Sequence, residues 1–426
     1  MRIAIIGTGI SGLTAGYFLA DRHELTLFEA NDYIGGHTNT VDIQLDGEQH
    51  AIDTGFIVFN DWTYPNFIAL LDRLGVQSQP TEMSFSVRSD PTGVEYNGRS
   101  LNGLFAQRTN LLRPRFYRFI AEILRFNRDA PRLVEQASGE PTVGEFLLEH
   151  RFSAEFCRSY LLPMGSAIWS CPMGTFAQFP MRFIVEFYRN HGLLNIWDRP
   201  QWRVIRGGSQ RYVEAMVRGF RDSIRLKTPV CQVRRSSDRI EVITADGSME
   251  AFDHVIFACH SDQALRLLEA PSRAEREILG AFPYERNVAI LHTDMSLLPR
   301  RRRAWGAWNY HIGHDASEQA TVTYNMNILQ GLSSRHTFCV TLNGESAIEP
   351  TQVLRKFVYH HPVFSTTRRA AQARHPELLG HNRSSFCGAY WGNGFHEDGV
   401  NSALAVCRAL DSHLSSRASA VICSAR

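Results

Sequence analysis

Two short stretches combine residue types and spacings that could do chemistry. The first is Gly7-Thr8-Gly9-Ile10-Ser11-Gly12, followed by an acid, Glu29, 22 residues after Gly7. Such a loop needs Gly7 for a tight turn, Gly9 so that the main chain can approach a pyrophosphate, and Gly12 so that helix and strand can pack closely. Glu29 stands where a carboxylate accepts hydrogen bonds from the adenosine ribose and repels a 2′-phosphate. The second stretch is His396-Glu397-Asp398. Three ionisable side chains in a row suggest a metal site or an acid–base group. A zinc-binding helix face would require a second histidine at 400, which is Val400. Consecutive side chains also point apart, so no metal is expected. Asp398 instead reads as the N-cap of a helix starting near Gly399, with Val400, Ala403, Leu404 and Cys407 as its buried stripe. Glu397 then serves in capping, and His396, with Trp391 and Phe395, is left either facing a substrate or purely structural.

The elements that must position the glycines are legible. "RIAIIG" is a continuously apolar, β-branched run, as expected of a buried parallel strand. "LTAGYFLADR" has helical spacing, and "LTLFE" is a second strand ending at Glu29. Strand, glycine loop, helix, strand and acid together make a dinucleotide fold. The charged and apolar N-terminus is thereby expected to be a strand followed by a glycine loop rather than a signal peptide. Farther on, "HAIDTGFIVFN" gives a strand ending at Asp53, before Gly55 and Phe56.

With "ANDYIGGHTNTV" after Glu29, the chain resembles the flavin-containing amine oxidase, protoporphyrinogen oxidase and phytoene desaturase superfamily. The resemblance returns at "WRVIRGGSQRYVEAM", runs through "VIFAC", and reappears in "SSFCGAYWGNGFHEDGVNSALAVCRAL". It covers about half the chain and selects FAD rather than NAD. It implies an α/β architecture, a discontinuous Rossmann-like FAD domain (1–75, 205–270 and 380–426) with an interleaved α+β substrate domain (76–204 and 271–379). On the same grounds the cofactor set is Gly7, Gly9, Ile10, Ser11, Gly12, Glu29, Ala30, Gly36, His37, Gly55, Phe56, Val230, Asp398, Gly399 and Val400. Val230 would meet adenine through its backbone, and the last helix would aim its N-terminus at the flavin pyrimidine. His37 stands where the superfamily usually has Arg, and gives up the guanidinium fork. No Cys occupies 390–398, where covalent members attach their flavin, so FAD is expected to be non-covalent.

The implied activity is two-electron oxidation of a small-molecule or lipid substrate. Amine oxidases of the superfamily keep a Lys near flavin N5, and "RNVAILHTDMSLLP" has none; His292 is the nearest polar substitute. An apolar acyl or polyene substrate fits better, and "GGHTNTV" and "DTGFIVFN" resemble a bacterial branch associated with fatty-acyl modification. An amine oxidase is the first alternative, and a non-catalytic FAD or NAD module the second. Tyr324, Asn325 and Asn327, on the presumed strand "ATVTYNMNIL", are candidates to line the pocket; Tyr324 and Asn327 join His396 and Trp391 as catalytic candidates, with core packing the alternative. O2, a quinone and a protein are equal alternatives as electron acceptor.

Composition bounds the remainder. The 426 residues suit two domains. A formal charge of +2 gives no global case for nucleic acid. Eight scattered cysteines without CxxC exclude a disulfide framework and point to the cytoplasm. "RPRFYRFIAEILRFNRDAPRLV" sets Phe116, Phe119, Ile120, Ile123 and Leu124 on one face and Arg115, Arg118, Glu122 and Arg125 on the other. Such a helix could lie on the inner membrane face as a peripheral contact. An ordinary surface helix is the alternative, as is a solvated turn for "PRRRRAW" at 299–305.

Overall fold

The computed structural model describes residues 1–313, 321–363, 365 and 367–410; Cys423 and the tail of the third FAD segment lie outside them. A five-stranded, all-parallel sheet holds the centre. Its strands run in the order Ile224–Arg225, Glu24–Phe28, Arg2–Ile6, His254–Phe257 and Ser384–Phe386. Ile3, at the middle, pairs with Leu25 on one side and His254 on the other. Both faces are covered, so these strands carry no polar alternation. Ile3, Ala4, Ile5, Leu27, Val255 and Ile256 are fully buried.

The first helix, Ile10–Leu19, and the last, His396–Leu410, pack on one face of this sheet. Leu13, Ala15, Val400, Ala403, Leu404 and Cys407 fill the space between them. Val230–Arg235, Ile240–Thr244 and Met249–Phe252 form a small antiparallel sheet over the other face.

A second, seven-stranded sheet forms a roof. It runs Val353–Pro362, Tyr284–His292, Cys339–Leu342, Val322–Asn325, Trp308–Ile312, Phe85–Ser89 and Val94–Asn97. Its residues come from the two chain segments between the Rossmann pieces. An aromatic helical cluster from 126–188, including Phe126, Phe146, Phe156, Trp169, Phe176 and Phe179, supports it. Phe85 packs against this cluster, against the roof core and against a third group around Phe116 and Phe119.

Two sequence expectations are corrected here. "ATVTYNMNIL" is not one strand: Val322–Asn325 is extended, but Met326–Gln330 is a helix whose N-cap is Asn325, its Oδ1 accepting from Ile328 N–H. In the helix Pro114–Gln136 the buried residues are Phe116, Phe119, Phe126, Ala130 and Val134, a 3.6-residue stripe that leaves Leu124 exposed. The middle of its polar side is also covered by protein. Arg125 lies 4.2 Å over the Phe152 ring, and Glu122 accepts from Ser153 N–H. At the N-terminal end of that helix Arg115, Tyr117 and Arg118 are exposed.

No helix among the described residues is long and apolar enough to cross a membrane.

Candidate functional site

The glycine loop at the end of the first strand has the geometry its spacing implies. Gly7 sits at φ +104°, and a Cβ there would meet the Ala258 carbonyl oxygen at 2.9 Å. A Cβ on Gly12 would overlap the Gly7 carbonyl oxygen. Gly9 is different: a Cβ there meets nothing within 4 Å, so the space beside it is open. The Gly35–Gly36 turn lies against it, with a Cβ on Gly36 only 3.1 Å from Gly9 Cα. Backbone therefore meets backbone around an open space, as a pyrophosphate requires.

Helix N-termini select where an anion goes. Of the helices that begin near this crevice, three have their N-termini occupied by an acid of the protein. Glu397 accepts from Asn66 N–H and Phe67 N–H at the start of the helix Pro65–Leu74. Asp53 accepts from Ser209 N–H at the start of Gln210–Val217. Asp398 accepts from Phe395 N–H at the start of the last helix. The first helix has no side-chain cap and no acid in its first turn. Its first intrahelical bond is Leu13 N–H to the Gly9 carbonyl, so the N–H groups of Ile10, Ser11 and Gly12 remain for an external anion.

This corrects the reading of Asp398. The last helix starts at His396, not near Gly399, and Asp398 lies in its first turn, reaching back to the N-cap backbone. Burial pushes its carboxyl up to about 6. Gly399 is thus helical, and its missing side chain serves a helix contact. A Cβ there would lie 2.7 Å from Ile10 Cγ2 and 3.0 Å from Ser11 Oγ. Val400, next along, is core.

Glu29 is buried just past its strand. One oxygen accepts from Thr8 N–H and Oγ1–H, the other from Asn31 N–H and Nδ2–H. All four acceptor positions of the carboxylate are therefore used within the loop, and a ribose hydroxyl would take the place of one of these donors. Ala30 is exposed beside it. Val230 is brought close because Thr228 N–H donates to the Glu29 carbonyl and Lys227 N–H to that of Asn31. Glu29→Ala is expected to weaken FAD binding at least tenfold, since each charge-assisted bond is worth about 1.5–3 kcal/mol. It also strips Thr8 and Asn31 of their acceptor, so the melting temperature falls with the affinity; fluorescence titration and a melt on the same sample check both.

His37 brings a half-buried imidazole to the crevice. Its ring packs 4.9 Å from Tyr359, 5.3 Å from His361 and 6.0 Å from His260. Its Nε2 is buried without a partner, an orphaned polar atom of the kind a bound group would satisfy. Burial, with His360 nearby, holds the ring down to about 4. Gly55 is required because a Cβ would overlap the His37 carbonyl oxygen, which also accepts from Phe56 N–H.

The catalytic candidates do not converge. His396 is buried and stacked on Phe56 at 3.5 Å, its Nε2 within 3.0 Å of Thr38 Oγ1 and 3.2 Å of Tyr212 Oη. Trp391 stacks on His375 at 3.9 Å and donates from Nε1 to the Phe386 carbonyl. Phe395 stacks on Phe187. The three thus enter three different packings. Asn327 is a brace: its Nδ2 donates to the His336 carbonyl and its Oδ1 accepts from Phe338 N–H. Tyr324 is buried against Trp308, with its hydroxyl on Ser170. His292 is also spent, since Nδ1 accepts from Asp294 N–H and Nε2 bonds Thr341 Oγ1.

Sequence reading missed Asp53, Thr38, Tyr212, His260 and the Tyr359–His361 strand. Asp53 and His260 had a signal, since Asp53 ends the strand that leads into Gly55, and His260 follows the strand His254–Phe257 that pairs beside Arg2–Ile6. Tyr359 and His361 had none, lying in a stretch without a motif.

Comparisons with known proteins agree with this geometry. A sequence model described as flavin containing amine oxidoreductase matches residues 10–293. A zeta-carotene desaturase of Synechocystis sp. is 35% identical over 78 residues, 18% of this chain and 15% of the desaturase. The chain therefore spans only 15% of the length of the curated relatives it matches. Whole-chain likeness comes from solved structures. A CLA-producing fatty acid isomerase from P. acnes superposes with TM-score 0.69 at 15% identity, over 96% of this chain and 98% of that one. A cyclohexylamine oxidase from Brevibacterium oxydans gives 0.67 at 17%, over 96% and 99%. Identities this low show the fold alone. The family match, extending over most of the chain, goes further: the protein is an FAD-dependent oxidoreductase and belongs to the flavin-containing amine oxidoreductase family.

Proposed function

We propose that the chain removes two electrons from an apolar, acyl-type substrate, in a desaturation-type reaction. The observation that carries this reading is the aromatic cluster leading to the start of the last helix. Trp169, Phe179, Phe183, Phe187 and Phe395 are in sequential ring contact. Over Phe183, at 3.7 Å, lies the guanidinium of Arg368, the only arginine among the described residues that is buried. Arg368 also donates to Asn393 Oδ1, on the loop that enters the last helix. Burial lowers its pKa to about 10, so it stays cationic at neutral pH. An aromatic wall suits a hydrocarbon chain, and a buried cation suits a carboxylate while opposing an ammonium. When bound, FAD supplies the electron acceptor. The cluster would hold the chain and exclude water, Arg368 would fix the acid end, and the free N–H groups of the first helix would hold the cofactor's pyrophosphate. FAD is held without a covalent bond, so acid precipitation releases it into the supernatant.

Arg368→Leu is expected to raise KM for fatty acids at least tenfold, with a much smaller change for neutral polyenes of equal length. An anaerobic screen for flavin bleaching decides the class. Bleaching by fatty acids or polyenes and not by amines supports the proposal. The family match and the cyclohexylamine oxidase fold favour a second reading, an amine oxidase, and bleaching by amines alone would establish it. No bleaching by any class would leave a nucleotide-binding module. His396→Ala is expected to retain FAD and slow turnover while lowering the melting temperature, because it removes a stacked ring and two hydrogen-bond contacts; an unchanged turnover would make His396 purely structural.

A further inference from the structure

Two arginine-rich segments far apart in sequence form one surface. Residues 96–121 contain five arginines and no acid, and residues 295–313 contain four more, Arg300–Arg303, again with no acid. The short helix Leu101–Leu104 packs against the turn Arg302–Ala304. Beside it, Asn97 Nδ2 donates to the Trp305 carbonyl, and Arg300 N–H donates to Glu95. On the other side Phe105 packs on Phe116 and Tyr117, at the open end of the helix Pro114–Gln136.

The character of this surface is unusual. Leu112 is 88% exposed and Leu101 76%, with Leu111 and Tyr117 about half exposed between them. Arg99 pairs with Glu82 and Arg301 with Glu95. The other seven arginines, at 108, 113, 115, 118, 300, 302 and 303, are exposed and make no ion pair among the described residues. Exposed leucines cost solvation free energy, and uncompensated like charges repel. Both costs are relieved together by a surface that is apolar beneath and anionic above.

We infer that this face docks on an anionic phospholipid bilayer, with Leu101, Leu111 and Leu112 entering the acyl boundary and the arginines meeting headgroup phosphates. A nucleic acid would satisfy the arginines but leave the leucines in water. Another exposed apolar pair among the described residues, Ile196 and Trp197, is followed by Asp198 and Arg199 and has no charge bias. The inference rests in part on the acyl-substrate reading, because it places the enzyme where such a substrate is met. Its test reads vesicle binding and not turnover, so the two can fail separately.

The FAD-loaded protein is sedimented with phosphatidylcholine vesicles, with and without phosphatidylglycerol, at low and high salt. Binding is expected only with phosphatidylglycerol, and weaker in high salt. Each surface arginine contributes about a fivefold change in partitioning, the equivalent of roughly 1 kcal/mol. The triple variant Arg115→Gln, Arg118→Gln, Arg303→Gln should therefore bind about 100-fold more weakly, and Leu111→Ser with Leu112→Ser at least tenfold more weakly, with FAD content and melting temperature unchanged. Trp197→Ser should bind normally. Equal binding to neutral vesicles, loss of binding only in Trp197→Ser, or no vesicle binding alongside retention on heparin would each overturn the inference.

Discussion

Gly12→Ala is expected to yield protein that holds no FAD and is folded poorly or not at all. The added methyl would overlap the carbonyl oxygen of Gly7, a backbone atom in a turn fixed by the Gly7 N–H bond to the Phe28 carbonyl. It would also press on Ala258 Cβ at 3.1 Å. Neither neighbour can rotate away, so the first helix must lift off the central sheet. Overpacking a core typically costs about 1–3 kcal/mol and more when the backbone must move. Gly9→Ala makes the complementary case. Its methyl enters open space, so the cofactor-free protein should melt as the parent does, while FAD affinity falls by an order of magnitude or more. Gly399→Val is intermediate, since Ile10 and Ser11 can shift partly; FAD binding is impaired and the melt lowered. Calorimetric melts with and without FAD separate the three. An Ala at position 9 that binds FAD normally would place the pyrophosphate elsewhere.

The second large effect is acid lability. Burial holds His37, His191, His254, His292 and His375 down to about 4 and His260 to about 3, with His361 and His396 well below their ordinary value. An unfolded chain protonates its histidines near 6.5, so between pH 6.5 and 4 the unfolded state binds more protons and stability falls as pH falls. Asp53 and Asp398, raised by burial to about 6, and Glu397, also raised, oppose this over much of the same window. Eight groups act against three. The melting temperature should drop on the order of 10 °C between pH 7 and 5. A melt that peaks at pH 5 would mean that these imidazoles are hydrated in solution.

The parts legible in the sequence are those where one physical demand fixes one residue type. Gly7 is forced by the positive φ of its turn, Gly12 by the Gly7 carbonyl five residues before it, and the buried strand "RIAIIG" by its own composition, so all three read directly. The start of the last helix was misplaced by three residues. Asp398 is an acceptable N-cap by type, but here it bonds back to Phe395 N–H from within the first turn. Asn327 and Tyr324 looked like pocket residues because polar and aromatic types alternate there. Their partners, His336, Phe338 and Ser170, are set by packing that no local pattern encodes. The imidazole group around His37 was hidden for the same reason, its members coming from positions 37, 260 and 361.

The central sheet also dictates an order of events during synthesis. Arg2–Ile6 lies between Glu24–Phe28, available at once, and His254–Phe257, which is made some 250 residues later; the Arg2 N–H bond to Asp253 spans a separation of 251. Gly7 and Gly12 both rest on Ala258, and the edge strand Ser384–Phe386 and the last helix come later still. A nascent chain therefore carries its glycine loop with one flank bare until residue 257 of 426 has been made and has left the ribosome. Closing so long a loop is slow, and in that interval the apolar edge of Arg2–Ile6 is open to wrong pairing. FAD can act as a late clamp that selects the completed chain, and truncation before residue 384 would leave a protein that neither binds FAD nor stays dispersed.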